Sequence, residues 1–308
     1  MSFTSLLGQH FVHTALLAGA VVSLLAGAIG VFVVIRGMSF AVHAVSELGF
    51  TGAAGALVLG VSPVAGLFVG SLTVGAVLGV LTVRGRERDA AIGSFLAFGL
   101  GVGVLLISLY RGYATAATNL LFGSIVGVND AQVAALGGIA VLVLAVLAFA
   151  YRPLLFASVD PEAAEARGVS LRLISILLLL LVALTTAEAI QVVGVLLVLT
   201  LVITPAAAAT RLTARPLLSV ALSIAIAFGA TEGGILLSLV KPWPTSFFIS
   251  AISFAVYVVA RALGRGRGRS ASRARPVTAR LEGQVPGRLP SDIAPIAGGG
   301  DEAGGTRA

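Results

Sequence analysis

Apolar residues run almost uninterrupted for about twenty positions at a time along most of this chain, with polar residues confined to the gaps between runs. Neither the two-residue alternation of a half-buried strand nor the narrow stripe of a surface helix is present. Runs of this kind predict helices that cross a bilayer, because a segment in hydrocarbon has to satisfy its own backbone hydrogen bonds. Nine of them can be drawn, at 13–35, 39–60, 63–83, 90–110, 131–151, 171–190, 191–210, 216–240 and 245–262. The expected fold class is therefore all-α, a polytopic membrane protein. Leu173–Thr210 holds 38 residues interrupted by one charge, Glu188, which is too long for one span and predicts two joined by a tight turn near Ala189–Gln191. Asn119–Gly123, inside the segment 111–130, is expected to form a short interfacial or re-entrant helix.

Composition agrees and adds a boundary. Of 308 residues 58% are hydrophobic, and of 33 charged residues twelve lie after position 263. A transmembrane domain over 1–263 and a basic, disordered tail over 264–308 follow, the tail holding eight Arg among Gly, Pro, Ser and Ala. Its position beside the last span suits anionic lipid headgroups rather than nucleic acid. The absence of cysteine excludes disulfides and thiolate metal sites. The first Arg, Arg36, follows the first apolar run instead of preceding it, so that run reads as a span and not as a cleaved signal.

Lys and Arg placement sets the expected orientation. With nine spans and a cytoplasmic C-terminus, Arg36, Arg84, Arg86, Arg88, Arg152, Arg167, Arg172, Arg211, Arg215 and Arg261 fall inside, and only Arg111 and Lys241 outside. The N-terminus is then outside.

Ionisable residues within spans are the candidate functional groups, since each costs roughly 2.5–3.5 kcal/mol to insert. There are four: His43, Glu47, Glu188 and Glu232. His43 and Glu47 are four apart, which places them with Ser39 on one helix face. At a rise of ~1.5 Å per residue they lie ~10 Å and ~16 Å from Arg36, near the bilayer centre. An imidazole and a carboxylate so placed can ligate a borderline divalent ion such as zinc, manganese or iron(II), or they can satisfy each other and tie two helices together. Glu188 and Glu232 lie farther toward the outer side, as an acidic entrance or as interfacial carboxylates. His10 and His13 read as solvated residues, and the glycines 66, 70, 75 and 79 as a close-packing stripe.

The segment Asp160-Pro-Glu-Ala-Ala-Glu-Ala-Arg-Gly168 is a short helix written out in caps. Asp160 suits the N-cap, Pro161 the first turn, Glu162 and Glu165 the positive end of the dipole, and Gly168 a left-handed stop. Between two spans, such a rigid element is a surface for a soluble partner to push against.

These residues resemble the membrane-spanning permeases of ATP-binding-cassette importers for zinc, manganese and iron(II). The resemblance rests on Ala15–Gly19 with Gly30-Val-Phe-Val-Val-Ile-Arg36-Gly-Met38-Ser-Phe40, on Leu121-Phe-Gly-Ser124-Ile125, and on Asp160-Pro-Glu162-Ala163-Ala164 through Gly168-Val169. Val193-Gly194-Val-Leu-Leu-Val198 and Ile203-Thr-Pro205-Ala-Ala-Ala extend it, so that it covers about 14–262. It implies that Asp160, Pro161, Glu162, Ala163, Ala164 and Gly168 contact a cytosolic ATPase. It also implies two permease copies or two related permeases, and an extracytoplasmic binding protein that delivers the ion. Where the family commonly has an Asp and, four residues later, a His, this chain has His43 and Glu47, which keeps two ligands but changes their order.

No Gly-x-x-x-x-Gly-Lys-Ser/Thr loop occurs, so ATP is expected on a partner subunit and the chain is expected to be a transport subunit with no catalytic residues of its own. The expected mechanism is alternating access in a bacterial cell membrane. Metal meets His43 and Glu47 from each copy, with Ser39, Glu188 and Glu232 as weaker contributors and Pro205 as a hinge. The competing reading is a proton- or sodium-coupled secondary transporter using Glu188 and Glu232, although no internal repeat supports it.

Overall fold

The computed structural model describes residues 9–81, 86–110, 123, 127–241 and 243–271. Among them every regular element is helical: α1 His10–Ile35, α2 Ser39–Val58, α3 Pro63–Val80, α4 Arg86–Leu109, α5 Asp130–Val159, α6 Pro161–Ala166, α7 Leu171–Val193, α8 Val195–Leu212, α9 Pro216–Val240 and α10 Thr245–Ala271. All but α6 contain a stretch long and apolar enough to cross a membrane, which makes nine spans among the described residues. The predicted re-entrant helix at Asn119–Gly123 and the tail beyond Ala271 lie outside the described residues, apart from Gly123.

Helices α1 and α7 are the most enclosed and form the axis of the bundle. α1 packs against α5, α7, α8 and α9, and α7 against α1, α2, α3, α5 and α8. The α2–α3 hairpin closes one side, with α4 on the outer flank of α2. The lining between these helices is Phe32, Leu25, Ile29, Leu178, Leu179 and Leu201, all nearly inaccessible. In hydrocarbon the lipid is as apolar as Leu, so association depends on close backbone approach. Gly52 faces Gly66 and Gly70 across the α2–α3 contact, while Gly75 and Gly79 face α7. A Cβ added at Gly75 would sit 2.8 Å from the Leu179 carbonyl oxygen. The predicted glycine stripe is thus a packing device with two sides.

Three expected boundaries move, one of them at α10, which runs past the expected end at 262 to Ala271, into the segment expected to be disordered tail. α7 ends at Val193, not near Ala189–Gln191, and α8 restarts at Val195. The single residue between them is Gly194 at φ 82°, a conformation that glycine alone takes without strain, and the chain reverses there. α5 does not stop at 151 but continues through Pro153 to Val159. Pro153 leaves the Phe149 carbonyl without its intrahelical donor, and the helix continues through it.

Candidate metal path and coupling surface

α1 stops because Gly37 takes φ 63° and the Met38 amide donates to the Val33 carbonyl at 2.9 Å. The chain then turns back and starts α2 at Ser39. Two faces of α2 are covered. On one, Leu48 fills the space at Gly99 of α4, and the Thr51 hydroxyl donates to the Gly99 carbonyl at 2.9 Å. On another, Gly49 and Gly52 meet α3. Ser39, His43 and Glu47 recur every fourth residue between these contacts, and all three stay half-buried.

His43 and Glu47 are not spent on each other. Among the described residues neither has an ion-pair partner, so the alternative of a self-satisfied pair tying helices together is not what the fold builds. The His43 ring lies 6.4 Å from that of Phe40, tilted by 44°. Both side chains keep part of their surface open. Among the described residues no three His, Asp or Glu side chains converge into a metal cage. Among the described residues His43 and Glu47 thus stand as a pair and not inside a closed cage.

Glu188 differs from the expectation of an interfacial or entrance carboxylate. It is fully buried in α7, and neither carboxyl oxygen has a hydrogen-bond partner among the described residues. Counting residues from Ser175, it sits about 20 Å along α7. Glu232 on α9 is half-buried, with Oε1 sealed against Gly19 of α1 and unpartnered. Hydropathy registers Glu188 as a lone charge but cannot tell a protein-facing position from a lipid-facing one. Pro205 is buried in α8, which passes through it as a helix, one turn beyond the point where Gly30 of α1 meets the Val202 carbonyl.

The short helix is built as the sequence requires. The Asp160 carboxylate accepts from the Ala163 amide at 2.9 Å, and Pro161 occupies the first turn. Gly168 at φ 83° closes it, with the Gly168 amide donating to Glu165 at 2.9 Å and the Val169 amide to Ala164 at 3.0 Å. It is six residues long, and buried Ala164 anchors it. Beside it opens a cleft of about 1090 Å³ lined by Arg36, Asp160, Glu162, Glu165, Arg172 and Ser175 among others. Charges of both signs face this cleft.

Three contacts were not legible in the sequence. Arg36 donates to the Ser175 hydroxyl at 2.9 Å, Arg211 lies over the Tyr257 ring, and His10, expected to be solvated, is exposed but pairs with Asp130 at 3.0 Å. The available signal for Arg36 was its place between the first span and the helix that carries His43.

Comparison with known proteins gives consistent matches. The model of the family described as ABC 3 transport family matches residues 9–264. The manganese transport system membrane protein MntC of Halalkalibacterium halodurans is 31% identical over 265 residues, covering 84% of this chain and 89% of that protein. The high-affinity zinc uptake system membrane protein ZnuB of Haemophilus influenzae is 30% identical over 227 residues, covering 73% and 86%. Among solved structures, PsaBC from Streptococcus pneumoniae in complex with Fab superposes with a TM-score of 0.75 at 27% identity, covering 84% of this chain and 94% of that one.

Proposed function

We propose, from the premise that this chain belongs to the ABC 3 transport family, that it is the multi-pass permease subunit of an ATP-driven importer of manganese or zinc in a bacterial cell membrane. The observation that carries the reading is the pair His43 and Glu47, half-buried one turn apart on α2 and not bonded to each other, at a helical rise from Arg36 that suits the middle of a bilayer. Two such pairs, one from each of two permease copies, supply four ligands. Two Glu47 carboxylates also cancel the charge of a divalent ion in a medium where an uncompensated charge is costly. Imidazole with carboxylate suits both zinc and manganese. Ser39 and Glu232 are assigned weaker roles along the same route, and Glu188, enclosed in α7, a weaker role from within the bundle and not at its entrance.

ATP is hydrolysed by a separate cytosolic ATPase that docks at α6 and its cleft, touching Asp160, Pro161, Glu162, Ala163, Ala164 and Gly168. The end of the bundle that carries α6 then faces the cytoplasm, with the N-terminus outside and the basic tail 264–308 inside. An extracytoplasmic binding protein delivers the ion to the opposite face. Movement of α6 is passed to α2 through the α1–α2 turn, and the residue after which α8 bends is Pro205.

Reconstitution tests this reading. Proteoliposomes holding the permease and its ATPase should accumulate manganese or zinc only when ATP is supplied on the α6 side. Uptake that needs no ATP and follows a proton or sodium gradient would replace the reading with a secondary transporter.

A further inference from the structure

Positive charge gathers at the α6 end of the bundle, but its surroundings differ between two corners. At the cleft beside α6, Arg36 and Arg172 face Asp160, Glu162 and Glu165, so countercharge is built in. At the corner where α8 ends and α10 passes, Arg211 and Arg261 converge on Tyr257. The Arg211 guanidinium lies 5.7 Å from the Tyr257 ring centroid, and Arg261 follows Tyr257 one turn farther along α10. Both arginines are exposed, and among the described residues neither has a carboxylate within ion-pair distance. Between positions 189 and 281 the only acidic residue is Glu232, and that carboxyl lies far along α9 against Gly19. Arg215, in the adjoining turn, adds charge of the same sign.

The apolar surface next to this corner indicates what comes with the anion. On α10, Phe254, Tyr257, Val258 and Arg261 recur at helical spacing on one face, and Phe254 and Val258 are 63% and 46% exposed. That face runs from the apolar part of α10 to the two guanidiniums. A Tyr at the junction suits a position wet at one end and apolar at the other.

We propose that the Arg211–Tyr257–Arg261 corner is a binding site for an anionic phospholipid. The phosphate sits between the two guanidiniums, and an acyl chain lies along Phe254 and Val258. Phosphate on paired Arg is a charge-assisted contact, and basic pockets at the ends of spanning helices take acidic headgroups in this way. The proposal requires only that the chain spans a membrane, and so stands apart from the importer reading.

The test uses the full chain in mild detergent, with lipid retention followed by native mass spectrometry and Tm followed during titration with short-chain phosphatidylglycerol, short-chain phosphatidylcholine or inorganic phosphate. Wild type should retain phosphatidylglycerol and gain Tm with it but not with phosphatidylcholine. Arg211→Gln/Arg261→Gln should bind phosphatidylglycerol about 25-fold more weakly. Arg261→Gln alone should fall between, and the wild-type preference for one lipid over the other needs no variant. Equal binding of the two lipids by wild type would overturn the proposal. So would a Tm gain with inorganic phosphate equal to that with phosphatidylglycerol, which would mark a free-anion site. Unchanged lipid binding in the double variant together with loss of ATPase co-purification would assign the corner to a protein contact instead.

Discussion

The guanidinium of Arg36 donates a 2.9 Å hydrogen bond to the hydroxyl of Ser175, joining the α1–α2 turn to the first turns of α7. Both residues line the cleft beside α6. Seven residues after Arg36 comes His43, so this bond links the surface proposed to dock the ATPase to the helix that carries the proposed metal pair. A hydrogen bond with a charged donor contributes about 1.5–3 kcal/mol. Arg36→Gln and Ser175→Ala should lower metal uptake about tenfold while ATP hydrolysis by the assembled transporter continues, with Arg36→Lys keeping part of the uptake. The ratio of ATP hydrolysed to ion transported checks this, because a purely structural loss would lower both together.

The α2–α3 contact has no room for a side chain at Gly52, whose added Cβ would meet the Gly66 carbonyl oxygen. Overpacking of this kind costs roughly 1–3 kcal/mol. Gly52→Ala should lower Tm in detergent by several degrees. Gly101→Ala, with nothing within 4 Å of the new methyl, should leave it unchanged.

Glu188 has no exposed surface and no hydrogen-bond partner for either oxygen among the described residues. A buried polar group without partners costs roughly 1–3 kcal/mol in protein interiors. Glu188→Leu should therefore raise Tm while uptake falls, the pattern of a residue kept for function against stability. If Tm drops and uptake is unchanged, Glu188 is a structural residue.

The short helix depends on its two ends. Asp160→Ala removes the bond to the Ala163 amide, which costs about 1 kcal/mol in a typical N-cap. Gly168→Ala forces a methyl-bearing residue to φ 83°, a strain of about 1–2 kcal/mol. Each change should weaken ATPase co-purification with the permease while leaving the Tm of the isolated permease within a degree or two. The pull-down and the melting curve check the two halves separately.

What the sequence revealed and what it hid have physical reasons. The spans are legible because hydrocarbon imposes a length and a polarity on each of them. The α6 helix is legible because Asp160, Pro161 and Gly168 each act within their own few residues. The reversal at Gly194 falls inside a uniform apolar run, where hydropathy carries no positional signal and only the lone glycine marks the break. The enclosure of Glu188 and the Arg36–Ser175 bond depend on which helix faces which, over 139 residues in the second case. The open state of His43 and Glu47 is likewise set by α3 and α4 covering the other faces of α2, which spacing alone does not determine.

The metal role of His43 and Glu47 is tested most directly by equilibrium binding of zinc or manganese to the assembled permease–ATPase complex, comparing wild type with His43→Ala and Glu47→Gln after assembly is verified by size-exclusion chromatography. Wild type should bind one ion per two permease chains, and both variants should lose that ion along with ATP-driven uptake. Variants that assemble, bind metal at wild-type stoichiometry and transport it at the wild-type rate would contradict the assignment of His43 and Glu47 as the membrane metal site.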